Sequence, residues 1–325
     1  MAEINWKEMP VLVTGADGFI GSWVAKEFAD KGAHVVTIVR DLKKYSNIDA
    51  LGLRGRVTIV HGDLADLEVC SRVMNEYEIC ICIHIAAEAI VGTANASPLS
   101  TFESNIKGTW NILEAARLSK FIKSLVVASS DKAYGVQKKL PYTEERPLLG
   151  TYPYDASKAC ADMLASSYFR TFGLPLAITR NANTYGGGDL NFSRLVPDTI
   201  KALINNQQPV IRSDGTPERD YMYIKDAVSS YITLASNLHR KDVQGEAFNF
   251  GTGKPVSVLK LYTEIIRLMG KKIKPKILGQ AKHEIDRQYL SIEKAKKVLN
   301  WKPRYSLEQG LKETIAWYKD YLKKN

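Results

Sequence analysis

The chain reads as an α/β protein built on a doubly wound parallel sheet, with a smaller α/β lobe at its C-terminal end. Three observations predict this. Short runs rich in Val and Ile alternate with longer helix-period stretches through the first 180 residues. The runs are apolar on both faces, as in parallel strands covered by helices on either side. After Arg180 the alternation stops at a glycine loop, Gly186-Gly-Gly-Asp189, and less regular helices and short strands follow. The expected division is 1–180 for the sheet domain, with returning segments near 220–250, and 181–325 mainly for the second lobe.

Taken in order, the expected strands are Val11–Val13, Val35–Val39, Val57–Val60, Ile79–Ile85, Leu125–Ala128 and Leu176–Thr179. Helix-period stretches fall between them at Ile20–Ala29, Thr101–Leu118 and Ala156–Phe172, and Leu307–Leu322 is an amphipathic closing helix. Cys80 and Cys82 alternate along one strand-like run. No second Cys/His pair stands at a zinc-like spacing, so buried-strand residues are expected rather than a metal site.

Composition sets limits. Hydrophobic residues make up 45% of the 325, which excludes a disordered chain. The most apolar run, Ile79 to Ala87, contains His84 and is far shorter than the roughly 20 residues of a membrane span. Four cysteines are too few for a disulfide framework, and Met1–Glu8 carries acids where a secretory leader is basic and then apolar. A cytoplasmic home is expected. The net charge is +10, and Lys271–Asn325 holds 15 basic against 6 acidic residues. A polyanion-binding protein would explain that excess, but Lys271–Lys276 lacks interleaved aromatics, so no nucleic-acid partner is expected.

The first strand runs into Thr14-Gly-Ala-Asp-Gly-Phe-Ile-Gly21, where a helix begins. Glycines at 15, 18 and 21 permit a tight turn and close approach to a pyrophosphate, and the helix N-terminus offers free N–H groups to it. Gly15, Gly18, Phe19, Ile20 and Gly21 are therefore candidate dinucleotide contacts. An acid ending the second strand would hold a ribose 2′-OH, whereas an arginine accommodates a 2′-phosphate. Val39 stands at the acid's place and Arg40 follows, with Asp41 in reach. The cofactor is NAD(P), with a slight lean to NADP. Asp63, closing the third strand, is placed to accept from an adenine amino group.

Two segments carry candidate chemistry. Ser130-Asp-Lys132 follows a strand at the end where ligands of open sheets gather. Tyr154 and Lys158 open a helix, one turn apart on one face. A free tyrosine, with a pKa of about 10, is a poor base at neutral pH. A nearby ammonium and an oxidised nicotinamide favour its phenolate, and Ser130 could orient the substrate oxygen.

With these pieces in place, the chain resembles an extended short-chain dehydrogenase/reductase of the nucleotide-sugar epimerase and dehydratase group. The resemblance rests on Gly15-x-x-Gly18-x-x-Gly21, His84-Ile-Ala-Ala87, Asn105-Ile-Lys-Gly-Thr109 and the Ser130, Tyr154 and Lys158 set. It extends through Asn183-Thr-Tyr-Gly186, Arg219-Asp220, Asn249-Phe-Gly251 and Trp301-Lys-Pro303. It implies a Rossmann-like domain, further cofactor contacts at Leu64 and Ala86, a lobe that binds a nucleotide diphosphate sugar, and a homodimer. Dehydratases of the group place Asp-Glu after the catalytic hydroxyl residue. Asp131-Lys132 departs from that and is similar to the CDP-glucose 4,6-dehydratases, as are Trp6 and Gly21-Ser-Trp23.

The resemblance thus implies a 4,6-dehydratase. Tyr154 takes the C4 hydroxyl proton, Asp131 acts as acid toward C6, and Lys132 acts as base at C5 or steadies the enolate. A 4-epimerase of the UDP-glucose or UDP-glucuronate type shares the fold and triad, and Ile38-Val-Arg40 is similar to the NADP-using GDP-mannose 4,6-dehydratases. A cofactor-sensing protein without turnover is the non-enzyme alternative, opposed by the intact triad. For the sugar diphosphate the resemblance implies Asn183, Arg219 and Arg287, and Arg194 could contribute. The base remains open among CDP, GDP, UDP and dTDP.

Overall fold

Seven strands form the main sheet: β1 (Pro10–Thr14), β2 (His34–Val39), β3 (Thr58–His61), β4 (Ile81–His84), β5 (Ser124–Ser130), β6 (Leu176–Asn181) and β10 (Ala247–Phe250). Their spatial order is β10-β6-β5-β4-β1-β2-β3, and every pairing is parallel. The structure, a computed structural model, describes residues 5–41, 46–280 and 285–324. The first four residues of the Met1–Glu8 segment lie outside the described residues.

Why the strands read as apolar on successive residues is plain from their surroundings. Val11, Val13, Val35, Ile81, Ile83 and Val126 point into one core, with Val24 and Phe28 of α1 (Phe19–Asp30). Leu12, Val36, Ile38, Cys82, Leu125 and Val127 point into a second core on the opposite face. Cys82 is fully buried there, as a strand residue, and all four cysteines are free thiols. The short α2 (Asn47–Ala50) packs Ile48 into the first core, and the short α4 (Val91–Ala96) and α5 (Pro98–Phe102) follow β4. The second core is covered by α3 (Leu67–Glu76). It is also covered by α6 (Gly108–Leu118) and α7 (Pro153–Phe172).

Three features differ from the expected elements. The stretch expected as one helix over 101–118 is broken into α5, a π-helical turn at Glu103–Lys107, and α6. The extra residue of a π turn reorients the Asn105 side chain, and three hydrogen bonds hold it there. α7 begins at Pro153, whose fixed φ suits a first helical position. Tyr154 therefore stands in the first turn and Lys158 in the second. Strand β5 continues to Ser130, carrying that hydroxyl to the sheet's edge.

Beyond the main sheet, β9 (Glu218–Tyr223) is flanked by β11 (Pro255–Ser257) and β13 (Arg287–Gln288), and β7 (Asn183–Tyr185) also pairs with it. β8 (Val210–Ile211) pairs with β12 (Lys276–Ile277). The helices here are α8 (Leu195–Ile204), α9 (Ile224–Asn237), α10 (Val258–Leu268), α11 (Glu293–Leu299) and α12 (Leu307–Lys324). Among the described residues no helix is long and apolar enough to cross a membrane.

A buried ion pair ties β6 to α7. Arg180 donates from Nε and Nη2 to the two oxygens of Asp162, at 2.8 and 2.9 Å, with both side chains under a tenth exposed. Its remaining Nη1 donates to the Tyr134 hydroxyl at 2.9 Å and the Glu144 carbonyl at 3.0 Å. Tyr134 donates onward to Asn249 Oδ1 of β10. Arg180→Ala would strand Asp162 as a buried charge. We expect a loss of about 3–5 kcal/mol of stability, read from the urea midpoint, and a loss below about 1 kcal/mol would remove the pair from this role.

Candidate active site

A cavity of about 610 Å³ opens at the C-terminal ends of the strands, across the switch point between β1 and β4. One end is lined by the glycine turn. Gly15 has φ +74°, and a side chain there would meet the Ala86 backbone at 2.8 Å. A Cβ on Gly21 would lie 2.1 Å from the Gly15 carbonyl oxygen, so helix α1 can approach the turn only without one. No side chain caps α1 at Gly18, which leaves its first N–H groups turned to the cavity end. These features fit a dinucleotide pyrophosphate. Phe19, Ile20, Arg40, Asp63, Leu64 and Ala86 line the same end.

Arg40 is not a lone cation. Its Nε donates to Asp41 at 2.8 Å, and Nη1 lies 3.8 Å from Asp63 Oδ2. Asp63 also accepts from the Ala65 N–H, which fixes the turn after β3.

A chain of hydrogen bonds joins this end to the reactive tyrosine. Thr14 accepts from the N–H groups of Ile85 and Ala86, both at 3.1 Å, and meets His84 Nδ1 at 2.9 Å. Thr109 donates its hydroxyl proton to the Asn105 carbonyl, so toward His84 Nε2 it can only accept. The ring therefore carries its proton on Nε2 and accepts from Thr14 at Nδ1. Burial, with the Lys158 charge, pulls its pKa down to about 3, which keeps it neutral. Asn105 then holds both backbone groups of Glu88 and donates to Ser157 at 2.9 Å, and Ser157 donates to the Tyr154 carbonyl.

Ser130, Asp131, Lys132, Tyr154 and Lys158 all line the cavity. Lys158 donates to the Ala128 carbonyl at 2.8 Å, and burial draws its pKa down to about 8. Burial pushes the Tyr154 phenol up to about 12, while Ser130 and the Arg194 charge draw it down and Asp131 and Asp155 push it up. The Arg194 charge is one influence that draws the phenol down, and Lys158, buried in the same site, donates to the Ala128 carbonyl.

The 131–134 segment is a single 3-10 turn. Ser130 donates to Asp131 Oδ1 at 3.1 Å and accepts from the Lys132 N–H at 3.2 Å. Asp131 is 2% exposed, and its Oδ2 is buried without a hydrogen-bond partner. Lys132 donates instead to Gln288 of β13. Asp155, the neighbour of Tyr154, is pushed up to about 6 by burial, against the Lys132 charge.

Of the four substrate-side residues, the structure brings two to the cavity. Asn183 lines it with its Nδ2 buried and unpartnered, and Arg194 lines it while paired to buried Asp189 at 3.3 Å. Arg219 and Arg287 are not in the wall. They lie on the neighbouring strands β9 and β13, where Arg219 donates to the Glu218 carbonyl and Arg287 pairs with the Glu218 carboxylate at 2.6 Å. Among the described residues, no basic residue of the Lys-rich C-terminal stretch lines the cavity. Residues that the sequence did not single out are Glu88, Ser104, Tyr221 and Tyr231 in the wall, and Gln288 behind it. Only proximity to Arg287 hinted at Gln288.

Residues 12–314 match the GDP-mannose 4,6 dehydratase family. The chain belongs to this family. It is 29% identical to the CDP-glucose 4,6-dehydratase of Salmonella typhimurium, over 98% of this chain and 92% of that protein. It is 33% identical to the UDP-glucuronate 4-epimerase of Thermodesulfobacterium geofontis, over 95% and 96%. The crystal structure of UDP-glucuronic acid 4-epimerase from Bacillus cereus, in complex with UDP-glucuronic acid and NAD, superposes with a TM-score of 0.86. That match has 26% identity and covers 96% of this chain and all of the other. The protein is an enzyme of the nucleotide-sugar dehydratase and epimerase group, with a Rossmann-like fold.

Proposed function

We propose that this protein is a nucleotide-sugar 4,6-dehydratase of the CDP-glucose type. The observation that carries the reading is Asp131: a buried carboxylate in the cavity wall, one oxygen unpartnered, next to Ser130 and Lys132 and within electrostatic reach of Tyr154. A 4-epimerase needs the hydroxyl, tyrosine and lysine but has no work for an acid and a cation beside them. The 33% identity to a UDP-glucuronate 4-epimerase makes epimerisation the second reading.

In the first step Tyr154 takes the proton of the C4 hydroxyl, with Ser130 holding that oxygen. A bound dinucleotide supplies the hydride acceptor and donor. The C4 ketone acidifies C5–H. Lys132 removes that proton or, as an ammonium, steadies the enolate, while Asp131 gives a proton to the departing C6 oxygen. Asn183 and Arg194 are the sugar-diphosphate contacts the cavity favours. Arg219 and Arg287 would act only at its outer edge.

For the cofactor the surroundings of Arg40 favour NAD. Asp41 and Asp63 set two carboxylates beside one guanidinium, which opposes a 2′-phosphate and leaves Asp41 for the ribose hydroxyl. We further propose a homodimer. Trp110 and Leu118 of α6, and Met163 and Phe172 of α7, are exposed apolar side chains on two helices that pack together.

Three outcomes are expected. Incubated with CDP-glucose, GDP-mannose or UDP-glucose, the enzyme should yield a product lighter by one water, and Lys132→Ala should slow that water loss about a hundredfold or more. An unchanged mass with an inverted ring proton would instead establish epimerisation. In fluorescence titrations NAD should bind at least about tenfold more tightly than NADP; the reverse order would return the choice to NADP. Sedimentation should give a dimer that Trp110→Glu dissociates, and a wild-type monomer at micromolar concentration would refute the pairing.

A further inference from the structure

The pair that distinguishes this site, Asp131 and Lys132, is gripped from the far half of the chain by one side chain. Gln288 is fully buried. Its Oε1 accepts from Lys132 Nζ at 2.5 Å, and its Nε2 donates to the Asp131 carbonyl at 3.0 Å. Both ends of the amide are thus used on two consecutive residues of the 3-10 turn.

Gln288 is itself held on both sides. Strand β13 pairs with β9, placing Gln288 opposite Arg219. Just beyond, the Tyr142 N–H donates to the Tyr289 carbonyl at 3.0 Å, and the Ser291 N–H donates to the Tyr142 carbonyl at 2.8 Å. The Tyr142 hydroxyl in turn donates to the carbonyl of Gly135, at the end of the same turn. The segment 288–291 therefore clasps the turn at its start through Gln288 and at its end through Tyr142.

The chemistry of the amide matters as much as its place. The Asp131 carbonyl needs a donor and the Lys132 ammonium needs an acceptor, and a carboxamide offers both at one site. A carboxylate would offer no donor to the carbonyl and would neutralise the ammonium. A neutral acceptor fixes the ammonium's position without adding a further carboxylate to Asp131 and Asp155, which already lie near it.

We propose that Gln288 is a positioning residue for the elimination step, aiming Lys132 at C5 and, by holding the Asp131 backbone, setting the Asp131 carboxyl toward C6 of the bound sugar. This rests on the dehydratase reading. A group that positions the elimination pair, without touching the C4 oxygen, should affect water loss far more than C4 oxidation. Misplacement by about an ångström is enough for an effect near a hundredfold.

The test uses the holoenzyme, full-length, with the nucleotide sugar that the wild type turns over. Single-turnover absorbance of the reduced nicotinamide reports C4 oxidation, and mass spectrometry of quenched samples reports water loss. In Gln288→Leu, oxidation should stay within about twofold while water loss slows about a hundredfold, so that the reduced nicotinamide accumulates. Gln288→Glu keeps the shape and a partner for Lys132, so it guards against a folding defect. It should also slow water loss, and it should move the pH dependence of that step to higher pH, because a carboxylate holds the ammonium proton more tightly. Equal slowing of both steps in Gln288→Leu, or a Gln288→Glu enzyme with wild-type elimination and pH profile, would overturn the assignment. A wild type that oxidises C4 yet releases no water from CDP-glucose, GDP-mannose or UDP-glucose would sink the dehydratase reading and this assignment with it. A dehydrating wild type with indifferent Gln288 variants would sink the assignment alone.

Discussion

The hydrogen bond between Thr14 and His84 spans the point where the main sheet reverses its winding, and the rest of the site hangs from it. The two residues are opposite each other on β1 and β4. Thr14 also carries the N–H groups of Ile85 and Ala86, which brings the Ala86 backbone so near Gly15 that no side chain fits between. From His84 the chain of bonds passes through Thr109 and Asn105 to Ser157 and the carbonyl of Tyr154. One continuous polar path therefore sets the glycine turn, the loop after β4 and the first turn of α7 relative to one another. Each link is buried or half-buried and has its donors and acceptors matched, the condition under which such a network rigidifies a structure.

A second set of contacts brings the later part of the chain to the same place. Arg180 joins β6, α7 and the Tyr134 hydroxyl, and Tyr134 passes the connection to Asn249 on β10. Asn249 also donates to the Tyr142 carbonyl. Tyr142 and Gln288 then hold the two ends of the turn that carries Asp131 and Lys132. That segment has only a single 3-10 turn of its own. Its geometry is imposed by buried partners, Tyr142 a few residues beyond it and Gln288 more than a hundred residues further along the chain.

Several motifs that mark the family are architectural rather than chemical. Trp301 stacks edge-on against Phe250 with centroids 4.9 Å apart and donates to Ser229. Asp226 accepts the N–H groups of Arg304 and Tyr305, just past the Trp301-Lys-Pro303 segment. Asp220, after Arg219, accepts from the N–H groups of Thr252 and Gly253 and from the Thr252 hydroxyl, and Gly251 has no room for a side chain against it. Trp23 donates to the Gly187 carbonyl, anchoring the glycine loop to α1. Among the described residues, the basic excess near the C-terminus likewise contributes nothing to the cavity wall. Lys294, Lys296 and Lys312 each sit in a surface ion pair with a glutamate, where a charge contributes little to stability.

Periodicity and glycine spacing alone determined the parallel sheet, the dinucleotide turn and the candidate reactive residues. These are local properties: strands covered on both faces must be apolar throughout, a backbone in contact with a pyrophosphate must lack side chains, and Tyr154 and Lys158 share a helical face at a four-residue spacing. Tertiary structure decided what depends on distant partners. The π turn at Asn105 is invisible to a helix pattern, because the side-chain partners that go with it, Glu88 and Ser157, lie on other parts of the chain. The carboxylates beside Arg40 and the turning of Lys158 to the Ala128 carbonyl both change the electrostatics that local sequence suggests. Arg219 and Arg287 sit outside the wall because strand pairing sets them beside Glu218. Gln288 was marked in the sequence only by standing next to Arg287, since a lone glutamine acquires meaning only when the fold sets its amide against Asp131 and Lys132.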